Sequence, residues 1–145
     1  MPSEAKFEIE ELEDGKICVL AKGKTRAGLF NSAMHGLFAA MKPEHHPEGK
    51  KEPRTFSVSS DTPEALLVDM LNEALVLSTA NREACEELKL DLITDKKAEG
   101  SFQGCEVTQF HRPILSALDH QLEIVKDPDT GEWSARICFE PSLEA

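Results

Sequence analysis

Between Leu29 and Met41 the apolar residues fall at Leu29, Phe30, Ala33, Met34, Leu37, Phe38 and Met41, the spacing of one wide stripe along a helix. Thr25 stands where an N-cap would accept from the free first-turn amides, and Pro43 forbids continuation past Lys42, so the pattern predicts a helix near 25–41. Gly28 and Gly36 each weaken that helix by about 1 kcal/mol relative to alanine, so it must be held by what it packs against. A second helix is predicted near 62–78. Thr62-Pro63-Glu64 supplies a cap, a proline at the first helical position and an acid in the first turn. Leu66, Leu67, Met70, Leu71, Ala74, Leu75 and Ser78 then line one face, with Asn72 and Glu73 on the other side.

Elsewhere the period is two. Phe7 and Ile9 alternate with Glu8 and Glu10, Ile17 to Ala21 is a short apolar strand, and Thr55 to Ser59 alternates like a half-buried one. Leu88, Leu90 and Leu92 continue the theme, and Phe102 to Val107 reads as a partner strand with Gly104 at a bend or bulge. Leu122 to Val125 is a further strand, and Trp133, Ala135, Ile137 and Phe139 form the cleanest alternation in the chain. Glu13-Asp14-Gly15-Lys16 has the composition of a type I′ hairpin turn, and Asp127-Pro128-Asp129-Thr130-Gly131 that of a second hairpin connection. The proline-rich polar segment from Pro43 to Pro53 reads as a surface loop. Residues 108–118 suit a helical turn and a strand entrance equally. The order is β-β-α-β-α-β-β-β-β. It predicts one α+β domain over residues 1–145, a two-layer sandwich with both helices packed on one face of a mixed, largely antiparallel sheet.

Charge narrows the function classes. The chain carries 27 acidic and 16 basic side chains, a net charge of -11, which repels phosphate backbones. Lys50, Lys51 and Arg54 are balanced by Glu48 and Glu52, so direct nucleic-acid binding is not expected, whereas a protein partner with a basic surface is compatible. The four cysteines, Cys18, Cys85, Cys105 and Cys138, are scattered without a CxxC pair and read as structural thiols. With no apolar leader and no run long enough to span a bilayer, the chain reads as a soluble cytoplasmic protein without membrane contact.

Candidate chemistry is sparse. No GxSxG, Walker-type loop, HExxH or GxGxxG occurs, and a catalytic carboxylate pair cannot be singled out among so many acids. Adjacent histidines do not fix a coordination geometry, so His45 and His46 read as exposed loop residues. The competing reading is an enzyme or small-molecule binder in a cleft beside residues 42–54, where His35, His45 and His46 could gather.

Taken in order, the motifs resemble the archease family. Gly23-Lys24-Thr25 followed by Leu29-Phe30-Asn31-Ser32-Ala33 is similar to the family's first helix, and Leu66-Leu67-Val68-Asp69-Met70-Leu71-Asn72-Glu73-Ala74-Leu75 to its second. His120-Gln121-Leu122-Glu123-Ile124 resembles its Tyr-His-x-Leu-Glu-Val strand, and Trp133 to Phe139 its closing Trp-x-Ala-Arg-Val-x-Phe strand. The resemblance runs from about residue 7 to residue 140. It implies a non-enzymatic activator of a metal-dependent, GTP-using RNA ligase of tRNA splicing, acting through protein contact. The alternative is a family scaffold that has taken a different protein or small-molecule partner.

The resemblance also implies a divalent-cation site built from an Asp in a His-Thr-Ala-Asp segment and an Asp near the chain's end. Aligned back from Gly23, Lys16 occupies the first position, and only a two-residue shift lets Asp14 replace it; Glu140 stands at the second. Asp14 and Glu140 are therefore the candidate ligands, for calcium or magnesium rather than zinc. With Lys16 opposed, the expectation is no cation or a weakly bound one.

Overall fold

The computed structural model of the protein describes residues 6–13, 15–118 and 122–141. Among the described residues nine strands and two helices follow one another: β1 (Lys6–Glu11), β2 (Ile17–Gly23), α1 (Arg26–Met41), β3 (Pro43–His45), β4 (Lys51–Ser59), α2 (Pro63–Asn81), β5 (Glu83–Ile93), β6 (Lys97–Phe110), β7 (Ile114–Leu118), β8 (Ile124–Lys126) and β9 (Trp133–Pro141). The α+β class and its two helices are as the patterning predicts. Thr25 and Thr62 cap them, accepting from the Gly28 and Ala65 amides at 3.0 and 3.1 Å. Both helices end on a left-handed residue, Lys42 and Arg82, and α2 runs a turn further than its apolar stripe, to Asn81.

The strands divide between two sheets, and every described pairing is antiparallel. In the first, β1, β2, β9 and β7 lie in that order, with β8 also on β9. In the second, β6 is the hub. It pairs with β4 over Lys97–Cys105, with β5 over Ala98–Glu106 and with β3 over Val107–Phe110. Helix α1 packs on β1, β2 and β9 of the first sheet and on β5 of the second, while α2 covers β4, β5 and β6 and reaches β7. The core is where the four meet: Leu29, Phe30, Leu37, Leu66, Phe102 and Phe139 have essentially no exposed surface.

Three local expectations change. The segment from Pro43 was expected to be loop throughout, but Pro43–His45 adds a short strand because the end of β6 outruns its other partners and offers a free edge. Residues 114–118 resolve as strand β7. Its Ala117 amide donates to Asn72 Oδ1 at 2.8 Å, so a polar residue of α2 satisfies an edge N–H that β9 cannot reach. The first hairpin holds three residues between Leu12 and Lys16, closed by a Leu12 N–H to Lys16 carbonyl bond of 2.8 Å. Gly15 has φ 88°, and a three-residue loop is not the two-residue type I′ connection expected; Asp14 itself lies outside the described residues.

The cysteines are the other correction. Cys18 and Cys138 face each other in the β2–β9 register and form a disulfide, so they are not free thiols; Cys85 and Cys105 remain free and buried. A disulfide pairing of residues 120 apart could not be read from spacing that lacked any local Cys motif.

Candidate functional site

Two places can be built from the residues singled out by sequence. The first is the strand end at Lys16 and Glu140. The β2–β9 register pairs Ile17 with Phe139, and one further step brings Lys16 opposite Glu140. Glu140 also pairs with Ser116 of β7 and is exposed. Asp14 lies outside the described residues. A calcium ion takes six to eight oxygens. Among the described residues no group of three His, Cys, Asp or Glu side chains is placed to hold a metal. Of the two candidate ligands only Glu140 is described, and a lysine at the position opposite it does not suit a divalent cation.

The second place is a cavity of about 390 Å³ between α1 and β5, lined by Phe7, His35, Phe38, Cys85, Glu86 and Glu87 among others. It owes its polar wall to a β-bulge. Cys85 pairs with Gly104 and Glu87 with Gln103, so Glu86 is the extra residue of β5. Thus re-aimed, Glu86 accepts from the Cys105 thiol at 3.1 Å and bonds the His45 imidazole, joining β5, β6 and β3. Gly104 was correctly placed at an irregularity, though the additional residue belongs to its partner strand.

Electrostatics decide what this chain of groups can do. Burial pushes the Glu86 carboxyl up, but its bonds from Cys105 and His45 outweigh that and hold it below its usual value. Burial raises the Cys105 thiol to about 11, helped by Glu86, and the Cys85 thiol to about 12, helped by Glu83. A carboxylate, not an imidazole, accepts the hydrogen bond of the Cys105 thiol, so the thiol is kept protonated rather than activated. His35 is lowered by burial, against the pull of Glu86 and Glu87, and favours its neutral form. Of the three histidines expected near residues 42–54, His35 lines the cavity and His45 joins it through Glu86. His46 instead accepts the Glu48 amide in its own turn.

Sequence reasoning missed a second polar grouping, built on the buried Glu83 and a half-buried Arg54. Arg54 of β4 donates to both oxygens of Glu83 of β5, at 3.0 and 2.8 Å, across β6. Gly104 makes room: a Cβ there would fall 2.1 Å from Glu83 Oε1. The signal available was a glycine amid the strand, which marks a close approach. Both polar groupings bind strands to one another.

Residues 12–140 match the sequence model of the Archease protein family (MTH1598/TM1083). No functionally curated protein matches the chain. Among solved structures, Methanobacterium thermoautotrophicum protein 1598 superposes with a TM-score of 0.64 at 21% identity, covering 92% of this chain and 97% of that one. A Thermotoga maritima protein (TM1083), described as an archease and possible chaperone, superposes with a TM-score of 0.56 at 13% identity, covering 85% and 88%. At such identities the likeness speaks for the fold. Among the described residues no helix is long and apolar enough to cross a membrane.

Proposed function

Since the chain belongs to the archease family, we propose that it is a non-enzymatic accessory protein that works by contact with a protein partner, an RNA ligase of tRNA splicing, whose guanylylation and turnover it assists. The observation that carries the reading is the family match over residues 12–140, which takes in both helices and both sheets. The polar groupings are in keeping with it: Cys105–Glu86–His45 and Arg54–Glu83 tie strands together, and the buried thiols are held protonated. The net charge of -11 favours a basic protein surface over a phosphate backbone as the thing engaged.

The test is guanylylation of the host's purified RNA ligase from GTP, with and without this protein. The reading expects faster formation of the ligase–GMP adduct and more than one turnover per ligase. Equal rates, with no co-elution of the two proteins, would reject it. A second reading, a small-molecule binder, is favoured by the His35–Glu86–Glu87 wall of the α1–β5 cavity. It would be chosen if a His35→Phe substitution left ligase stimulation intact while removing thermal stabilisation by a cellular amine.

A further inference from the structure

The outer flank of α2 is open. Between its last turns and residues 107–115 runs a trough of about 520 Å³, floored by Met41, Val107 and Ile114. It shares Thr79 and Leu115 with a second hollow of about 450 Å³ between α2 and β7. On one bank Val76 is 61% exposed and on the other Leu115 is 64% exposed, the two most exposed large apolar side chains among the described residues. Large exposed apolar side chains on facing banks of one groove mark a binding surface rather than scattered surface residues.

Two polar features say what the groove would hold. Ser78 lines it, is only 2% exposed, and its hydroxyl has no hydrogen-bond partner. The acceptor a helical serine would ordinarily use four residues back, the Ala74 carbonyl, already receives the Cys85 thiol. An unpaired buried hydroxyl is costly to leave so, and a ligand group would satisfy it. At the same end stands Arg82, exposed, in a left-handed conformation and without an ion-pair partner among the described residues. The Arg82 carbonyl accepts from the Val107 amide at 3.0 Å, which fixes this end of α2 against the wall of the trough that Val107 and Thr108 line. The acids beside Arg82 in sequence and register are engaged elsewhere: Glu83 accepts from Arg54 at 3.0 and 2.8 Å, and Glu106 from the Lys50 amide at 3.4 Å.

We infer that this trough is a docking groove for a short segment of another protein carrying aliphatic side chains and a carboxylate. The aliphatic side chains would lie between Val76 and Leu115, and the carboxylate would reach Arg82. The two joined hollows follow α2 from Asn72 to Arg82, an elongated track that suits several consecutive residues. A second copy of a chain with net charge -11 is disfavoured by self-repulsion, whereas Arg82, the one charged residue lining the trough among those described, favours a carboxylate. The inference rests on the protein-partner reading for its class of ligand, but it requires no RNA ligase.

Selection of random short peptides displayed on phage against the full-length protein tests it. Enriched peptides are expected to share aliphatic residues and an Asp or Glu, and their synthetic forms should bind about tenfold more weakly to Leu115→Asp and to Arg82→Glu. Changing the peptide's acid to its amide should weaken binding to the wild type but not to Arg82→Ala. Both positions are exposed, and unchanged melting of either variant alone keeps the test valid. No enrichment, or peptides indifferent to both substitutions, would overturn the proposal. So would decanoate binding lost in the same variants without peptide enrichment, or self-association that Leu115→Asp abolishes. Because the ligase takes no part, absent ligase stimulation with peptide binding intact would reject the proposed function and leave the groove.

Discussion

The two helices are of similar length and carry similar apolar residues, yet they stand in different surroundings. Eleven of the sixteen residues of α1 are buried, against eight of the nineteen of α2. Helix α1, with two glycines and no acid in its first turn, is the weaker helix by itself and is the one enclosed between both sheets. Its glycines are on the side pressed to β2: a Cβ on Gly36 would lie 2.4 Å from Val19 Cγ1, and Gly28 sits against Gly23. Helix α2 has Pro63, Glu64 and a long run of good helix formers, and it leaves one flank open. Local stability and tertiary enclosure thus trade places. The element that cannot stand alone becomes the core, and the self-sufficient one is free to present a surface.

The largest effect that could break this contrast is in the core. Phe30 of α1 is fully buried, so Phe30→Ala should cost about 3–5 kcal/mol in urea unfolding, whereas Val76→Ala on the open flank of α2 should stay within about 0.5 kcal/mol. Equal losses at the two sites would show that α2's flank is not free surface.

A smaller effect sharpens the point about glycine. Gly36→Ala gains about 1 kcal/mol in helix propensity but forces a methyl against Val19 Cγ1 and within 3.3 Å of Phe7, an overpacking that costs about 1–3 kcal/mol. Net destabilisation is expected from thermal melting, and adding Val19→Ala should recover part of it. A stabilised single variant would mean that α1 stands off the sheet by more than this packing allows.

How much of this could be read from the chain alone follows from the range of the interactions. Both helices, their threonine caps and the alternation of β9 rest on neighbours a few residues apart, and all were legible. The division of strands into two sheets was not, because it depends on β6 serving three partners distant in sequence. Strand β3 was hidden by prolines and charges: its backbone pairs with β6 while the Glu44 and His45 side chains stay exposed. The Cys18–Cys138 bond and the Arg54–Glu83 pair are long-range register effects, invisible to periodicity. The cavity histidines were half legible. His35 lines the cavity and His45 lies outside its lining, related to it only by Glu86, a carboxylate placed by a bulge that only Gly104 hinted at.

The thiol beneath α2 offers a finer test. Cys85 lies under that helix, its thiol against the Ala74 carbonyl, and burial raises it to about 12. A thiol raised in the folded state holds its proton more tightly there than in the unfolded chain. Its contribution to stability is therefore complete below the ordinary thiol value near pH 9 and is lost as pH rises toward 12. Cys105, at about 11, acts in the same direction. Denaturant midpoints should fall more steeply above pH 9 in the wild type than in Cys85→Ala, and alkylation of Cys85 at pH 8 should wait for unfolding. Rapid labelling of the native protein would show that solvent reaches Cys85 without unfolding, under α2 or from the α1–β5 cavity that it also lines.

The smallest signal is expected at the strand end, which neither helix covers. The family resemblance expects a divalent cation there. A hard cation loses affinity with each carboxylate removed, and the described end of β9 offers the exposed Glu140 with Lys16 brought opposite by the β2 register. An ion pair between exposed groups of this kind would be worth only about 0–1 kcal/mol, so Lys16 opposes the cation without contributing much to the fold. Calorimetric titration with calcium or magnesium should therefore give binding no tighter than about the millimolar range. Lys16→Asp should bring clear binding with little change in melting temperature, and adding Glu140→Gln should remove it again. Micromolar binding by the wild type would mean that carboxylates beyond those described, Asp14 among them, complete the site. Silence from Lys16→Asp would mean that the position aligned with the family's ligand is not a ligand position in this chain.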